Sequence, residues 1–241
     1  MKIFAHRGCS GQYPENTMLA FRKAIEAGAS GIELDVQMSK DGELVVIHDE
    51  RIDRTTDRVG YVKDMTYKEL RNADAGSWFH PSFHNERIPH LEEVLDLLLE
   101  DQSGTVLNIE LKNDVFDYPG LEEKAMRMAE EKNLAGRIVF SSFNKASVKR
   151  MKQLNKVFEI AWLFEGNMPD AALIAEQLGC SSIHCPAEFS LSEAGLEYMN
   201  NGGTLRVYTI NDLALYQSLI HTKVSAVMTD FPDLLLRTIE E

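Results

Sequence analysis

Two short strings in this sequence place ionisable groups two residues apart among apolar ones. Gly31–Val36 reads G-I-E-L-D-V, and Asn108–Lys112 reads N-I-E-L-K. Successive side chains of an extended strand point to opposite faces, so Glu33 and Asp35 share one face and Ile32, Leu34 and Val36 the other. The same alternation sets Asn108, Glu110 and Lys112 against Ile109 and Leu111. Three carboxylates on inward faces are costly to bury unpaired. A divalent cation is their natural partner. An oxygen-only set of Glu33, Asp35 and Glu110 suits one Mg2+ or Ca2+ ion, or Mn2+, better than zinc. His6, followed by Arg7, ends one apolar run, and His48 ends another. Imidazoles exchange protons near neutral pH, which suits acid–base work beside a metal-bound group. Counting charge extends the constellation. A cation of +2 with three carboxylates sums to −1, and Arg7 and Lys112 bring this to +1, opposite to the single negative charge of a phosphodiester.

The elements that must position these groups follow from short apolar runs alternating with helical periodicities. Strands are expected at Lys2–His6, Gly31–Val36, Thr105–Lys112, Arg137–Ser141, Val157–Leu163, Ser182–Cys185, Thr204–Thr209 and Ala226–Asp230. Helices are expected at Thr17–Ala27, Leu91–Glu100, Leu121–Lys132, Lys145–Leu154, Asp170–Leu178, Ser192–Asn201, Asp212–Ile220 and Pro232–Ile239. Asn16, Ser192 and Asn211 stand where helix caps belong. Such an alternation predicts an α/β fold, a closed (β/α)8 TIM barrel, with its site at the C-terminal ends of the strands. An open doubly wound sheet is the rival, but no G-x-G-x-x-G follows the first strand to support dinucleotide binding.

Two segments break the alternation. Glu43–His48 follows the second strand with only Asp41-Gly42 as a turn, which predicts a hairpin. A two-residue turn sets Lys40 opposite Glu43 and therefore Asp35 opposite His48; a bulge would move this pairing by one residue. Residues 49–90 are too long for an ordinary connection and carry one short helix near Tyr67–Asn72. They are expected to form a small inserted cap over the barrel mouth, within one domain spanning 1–241.

Charge narrows the partners. With 25 basic and 38 acidic residues the net charge is −13, which repels nucleic acid and anionic membranes. A phosphate-bearing small molecule would need the local positive charge of Arg7 and Lys112. The three cysteines are odd in number and lack metal-binding spacing, so a reduced, cytoplasmic setting is expected. The opening MKIFAHRG reads as a strand, and no apolar run is long enough to span a membrane, so neither a signal peptide nor a membrane anchor is expected.

Taken together these residues resemble the glycerophosphodiester phosphodiesterase family over nearly the whole chain. The resemblance rests on A-H-R-G at Ala5–Gly8, P-E-N-T at Pro14–Thr17, and the string from Gly31 to Asp49. R-T-T at Arg54–Thr56, D-A-G-S-W-F at Asp74–Phe79 and R-I-P-H-L-E-E-V at Arg87–Val94 continue it. I-E-L-K, S-S-F, V-Y-T-I-N and T-D-F-P-D follow in order. The resemblance implies metal ligands at Glu33, Asp35 and Glu110, an acid–base pair at His6 and His48, and phosphate binding by Arg7 and Lys112. It also implies hydrolysis of glycerophosphodiesters to glycerol 3-phosphate and an alcohol. The substrate's own 2-hydroxyl would attack phosphorus to give a cyclic phosphate, with His6 as base and His48 as acid. The family commonly has Trp where Tyr208 stands, and Tyr208 is expected to keep an aromatic wall while its hydroxyl alters alcohol selectivity.

Other readings compete. A lysine-dependent barrel aldolase would use Lys112 as a Schiff base and leave the carboxylates without purpose. A lysophospholipase D-type enzyme would need an apolar surface for an acyl chain. A non-catalytic phosphate-binding module would not need both His6 and His48. Glu33 and Asp35 as a structural ion pair with Arg7 is the bland alternative, weakened by the third carboxylate. His80, His84, His90 and His221 are expected at the surface or in caps. His184 reads equally as a rim contact and as packing. Trp78 and Phe79 divide between the substrate mouth and packing within the insertion.

Overall fold

The structure, a computed structural model, describes residues 1–154 and 157–240. Eight parallel strands form the barrel: β1 (Lys2–His6), β2 (Gly31–Met38), β4 (Val106–Leu111), β5 (Ile138–Ser142), β6 (Glu159–Leu163), β7 (Ser182–Pro186), β8 (Leu205–Tyr208) and β9 (Ala226–Thr229). The barrel closes because β1 pairs in parallel with both β2 and β9. Each expected strand is present within two residues of its expected bounds. The helices α1 (Met18–Glu26), α3 (Leu91–Glu100), α4 (Leu121–Glu131), α5 (Lys145–Leu154), α6 (Ala171–Leu178), α8 (Glu193–Asn200), α9 (Leu213–Ile220) and α10 (Pro232–Glu240) occupy the expected intervals. A four-residue helix, α7 (Ala187–Ser190), was not foreseen; it is too short for a periodicity to show.

The strands sort their side chains as the alternation requires. Ile32, Leu34, Val36, Leu107, Ile109 and Leu111 face outward into the main apolar core with the helices. Burying each such side chain stabilises the fold by about 1.5–3 kcal/mol. The inner faces mix polar groups with a small apolar cluster of Phe4, Ala226 and Met228. At the N-terminal end of the barrel, Arg206 binds Glu159 bidentately and contacts Ser182 and His184. Phe4 fills the space under the Arg206 guanidinium, 5.7 Å from its ring centre. Gly31 makes room for it, since a Cβ there would come within 2.6 Å of the Phe4 ring. His184 is fully buried in this plug and is not a rim contact. Its register opposite Arg206 places it mid-strand inside the barrel.

The hairpin departs from the expected register by one residue. β3 (Leu44–Val46) pairs antiparallel with β2 as Val36 to Val46, Gln37 to Val45 and Met38 to Leu44. The loop holds three residues rather than two. Ser39 N–H donates to Glu43 C=O at 2.9 Å, Gly42 N–H donates to Ser39 C=O at 3.0 Å, and Gly42 has φ +81°. A glycine in the left-handed region at this point is a bulge, which shifts the pairing. Ile47, not His48, therefore stands across from Asp35, its N–H donating to Asp35 C=O at 3.0 Å. β2 has a free edge for β3 because β1 ends at His6, opposite Glu33, while β2 runs on to Met38.

Residues 49–90 enclose a small core of their own. Ile52, Val62, Leu70, Ala75 and Ile88 pack with Val45 and Ile47 of the hairpin. The short helix α2 (Tyr67–Arg71) begins at a capping box formed by Thr66 and Glu69.

Candidate active site

Glu33, Asp35 and Glu110 converge, one ligating oxygen from each lying within 4.8 Å of the others, and all three are buried. They come from neighbouring strands in matched register, Asp35 opposite Glu110. Buried like charges cannot all stay ionised without counter-charge. Burial, then Asp35 and Glu110, push the Glu33 carboxyl well above its usual range. Burial also raises Glu110 against the pull of Lys112. Asp35 lies low, because Arg7, His48 and Lys112 outweigh its burial. Three buried carboxylate donors with this mutual conflict fit a hard divalent cation.

Asn16 secures Asp35. Its amide donates to Asp35 Oδ2 at 2.8 Å, and its own oxygen faces Asp35 N–H at 3.4 Å. It is not the helix cap expected from the sequence. Thr17 caps α1 instead, its hydroxyl accepting from Ala20 N–H. Asn16 adopts φ +56°, a conformation that asparagine tolerates better than most residues.

His6 and His48 approach the same cavity, each tied at Nδ1 to a carboxylate. His6 Nδ1 lies 2.7 Å from Asp230 Oδ1, and His48 Nδ1 lies 2.7 Å from Asp49 Oδ1. A ring N–H held by a carboxylate fixes the tautomer and leaves Nε2 with its lone pair for proton exchange. His6 Nε2 stands 4.0 Å from Glu33 Oε2, and His48 Nε2 stands 3.4 Å from Lys112 Nζ. Asp230 also accepts from the Ser10 hydroxyl and the Asn211 amide. Asn211 was expected to cap α9, but Asp212 does so. The hydrogen bonds of His6 and His48 outweigh burial and hold Asp230 and Asp49 below the usual carboxylate range.

Arg7 and Lys112 bring the positive charge. Lys112 Nζ donates to Glu110 Oε1 at 2.8 Å. Burial works to lower the Lys112 ammonium, but Glu110 and Asp35 raise it above its ordinary value. A Schiff-base lysine needs the opposite shift, so the geometry disfavours the aldolase reading. Arg7 follows His6 with φ +55°, and Gly8 with φ +80°, turning the chain sharply away from β1. A Cβ on Gly8 would meet the Ala20 backbone at 2.7 Å, so glycine is required there. The turn aims Arg7 N–H at Glu33 Oε2 (2.9 Å), Arg7 Nε at Asp35 Oδ2 (3.4 Å) and Arg7 Nη1 at Glu15 Oε1 (2.8 Å). Glu15 in turn meets Arg54, which also holds Asp49.

These groups surround a cavity of about 620 Å³, lined by His6, Arg7, Glu33, His48, Glu110 and Lys112 among others. Tyr208 and Phe143 also line it, their rings edge to face at 6.2 Å. The Tyr208 hydroxyl donates to Phe164 C=O at 2.6 Å, which holds the ring in place at the cavity. Asp114, Leu163, Glu165, Thr209 and Met228 complete the lining and escaped the sequence reading. Asp230 was findable, since it follows directly on the last barrel strand, where active-site groups collect. Trp78 packs within the insertion, donating its indole N–H to Ala75 C=O and meeting Phe79 edge on. No helix among the described residues is long and apolar enough to cross a membrane.

The comparisons with known proteins agree with this geometry. The sequence matches the Glycerophosphoryl diester phosphodiesterase family over residues 6–234. It is 38% identical over 242 residues to a glycerophosphodiester phosphodiesterase of Bacillus altitudinis, covering 100% of this chain and 98% of the relative. It is 38% identical over 240 residues to one of Caldanaerobacter subterraneus, covering 99% and 98%. A solved phosphodiesterase of Oleispira antarctica, in complex with the product sn-glycerol-3-phosphate, superposes with TM-score 0.88 at 31% identity, covering 100% of this chain and 97% of that one. The chain belongs to the glycerophosphoryl diester phosphodiesterase family and is an enzyme of the phosphoric diester hydrolase class.

Proposed function

We propose that this enzyme hydrolyses glycerophosphodiesters to glycerol 3-phosphate and an alcohol through a His6/His48 acid–base pair. The observation that carries this reading is the pairing of both histidines, through Nδ1, with carboxylates beside one cavity, which Glu33 and Glu110 of the convergent trio line together with Arg7 and Lys112. Glu33, Asp35 and Glu110 would hold one divalent cation, Mg2+, Ca2+ or Mn2+. When bound, it neutralises charge that develops on the phosphoryl oxygens. Arg7 and Lys112 bind the phosphodiester, and Tyr208 and Phe143 wall the site.

His6 Nε2 takes the proton of the glycerol 2-hydroxyl as its oxygen bonds to phosphorus. His48 gives a proton to the departing alcohol oxygen as the old P–O bond breaks. The product of this step is a cyclic phosphate, with His6 protonated and His48 neutral. His48 then takes a proton from water as the water oxygen bonds to phosphorus, and His6 returns its proton to the 2-oxygen as the ring opens. One water is consumed and both histidines regain their starting states. Asp230 and Asp49 stabilise whichever imidazolium forms. The single-domain organisation over 1–241, with 49–90 as a cap subregion, and a cytoplasmic location belong to the same proposal. The three thiols are free, which suits a reducing compartment.

A glycerophosphodiester lacking the 2-hydroxyl tests the route. It should bind and remain uncleaved. Cleavage at a rate near that of the parent would replace internal attack with direct attack by water.

A further inference from the structure

We infer that Arg54, supplied by the insertion, is a positioning residue that sets His48 and Arg7 at once. Its guanidinium presents two edges to two carboxylates. Nε and Nη2 donate to Asp49 Oδ2 and Oδ1 at 2.7 and 3.0 Å. Nη1 and Nη2 donate to Glu15 Oε2 and Oε1 at 2.8 Å each. Each carboxylate then spends a shared oxygen on the site. Asp49 Oδ1 also takes His48 Nδ1 at 2.7 Å, and Glu15 Oε1 also takes Arg7 Nη1 at 2.8 Å. One continuous chain of contacts thus runs His48–Asp49–Arg54–Glu15–Arg7 and ends on Asp35.

An exposed ion pair ordinarily contributes little, and the Arg54 side chain is 44% exposed. Its geometry is what matters here. Asp49 and Glu15 both accept from the same Nη2, so two like charges sit side by side with Arg54 between them. Without it they repel and leave their places. Asp49 then no longer orients His48 or stabilises its imidazolium, and Glu15 releases Arg7. Lysine cannot substitute, because an ammonium is a point donor without the planar fork that serves both edges. The small apolar core of Ile52, Val62 and Leu70 holds the loop that carries Arg54, with Thr56 Oγ1 donating to Ile52 C=O at 2.8 Å. The insertion thereby gains a task in the chemistry, although no residue of 49–90 is among those lining the cavity.

The inference rests on His48 protonating the departing alcohol, and the test separates the two. Glycerophosphocholine has a leaving alcohol that needs a proton; the p-nitrophenyl ester of glycerol 3-phosphate does not. In Arg54→Ala, the single-turnover rate of the first step on glycerophosphocholine should fall about 100-fold, while the first-turnover burst of nitrophenolate from the aryl ester should slow less than about fivefold, because only the later ring opening calls on His48 with both substrates. KM for both should rise about tenfold as Arg7 loses its anchor. Added guanidinium ion should restore part of the loss, and Arg54→Lys should not. Asp49→Asn should reproduce the leaving-group effect alone and Glu15→Gln the KM effect alone; these two decide the matter if Arg54→Ala does not fold. Kinetics within twofold of wild type, or equal losses on both substrates without guanidinium rescue, would overturn the inference. If the wild-type enzyme cleaves neither substrate, the functional reading fails. Calorimetry with glycerol 3-phosphate then still decides on Arg54, whose Ala variant should bind it about tenfold more weakly with cation affinity unchanged. Equal affinity for glycerol 3-phosphate in variant and wild type would refute the coupling.

Discussion

Replacing Asp230 by Asn changes one atom, and the surrounding hydrogen bonds dictate the consequence. Asn211 cannot turn to accommodate it, because its side-chain oxygen already accepts from Asp230 N–H at 2.9 Å and from the Thr229 hydroxyl at 3.1 Å. The Asn211 NH2 therefore stays aimed at the position of Asp230 Oδ2, 2.6 Å away. In Asp230→Asn the new NH2 has two places to go. Facing Asn211 it sets donor against donor and loses a bond that was charge-assisted, a cost of about 1.5–3 kcal/mol. Facing His6 it points a hydrogen at Nδ1 and drives the imidazole to the tautomer with its proton on Nε2. That tautomer cannot accept a proton from a hydroxyl. At about 1.4 kcal/mol per factor of ten, the competent tautomer falls by roughly 10- to 100-fold. Loss of the carboxylate opposite the imidazolium adds on the order of another tenfold. The expected result is a kcat reduced by roughly 10²- to 10³-fold with KM and cation affinity near wild type, measured by steady-state release of glycerol 3-phosphate. A variant within threefold of wild-type kcat would refute the role given to Asp230 and, with it, His6 as the base of the first step.

Two further outcomes follow from the carboxylate trio. Asn16→Ala removes the amide donor to Asp35 and leaves a buried carboxylate oxygen unpaired, so divalent-cation affinity should drop about tenfold by calorimetry. Unchanged affinity would return Asn16 to a purely local role in the turn before α1. The second outcome concerns pH. A carboxyl raised in the folded state, as Glu33 and Glu110 are, contributes stability below its unfolded pKa of about 4.3 and loses it as pH rises toward the folded value. The cation-free protein therefore carries a growing penalty as pH rises, against which Asp35, shifted down, works in the opposite direction. Cation binding relieves that penalty, so the rise in Tm on adding Mg2+ or Ca2+ should grow from pH 5 to pH 8 in thermal melts. A rise that shrinks with pH would contradict the assignment of these carboxylates as ligands.

What the sequence discloses here is mostly what strand alternation controls. Glu33, Asp35 and Glu110 share an inner face because side chains alternate, and the barrel register then makes Asp35 and Glu110 neighbours. His6 and Lys112 follow from the rule that barrel sites sit at strand ends. The hairpin misled by one residue, because Asp41-Gly42 suits both a two-residue turn and a three-residue loop closed by a left-handed glycine. Asn16 and Asn211 misled because a short polar residue before a helix serves equally as a cap or as a tertiary donor, and Thr17 and Asp212 beside them took the caps. The pairings of Asp230 and of Glu15, rather than their positions, were hidden for a different reason. Asp230 meets His6 across 224 residues, and Arg54 meets Glu15 across 39, contacts that barrel closure and the folding of the insertion create and no local pattern announces. His184 was ambiguous because nothing local fixed its depth in the barrel; its register opposite Arg206 did.

A divalent cation held by three carboxylates beside two acting histidines is the core of the proposed chemistry. It is tested most directly by following glycerol 3-phosphate release from glycerophosphocholine with enzyme stripped of metal and then resupplied with Mg2+, Ca2+ or Mn2+ in turn. Turnover should vanish on stripping and return with at least one of the three ions, and Glu110→Gln should fail to recover under the same conditions. Full turnover by enzyme verified free of metal, or none with any of the ions, would contradict it.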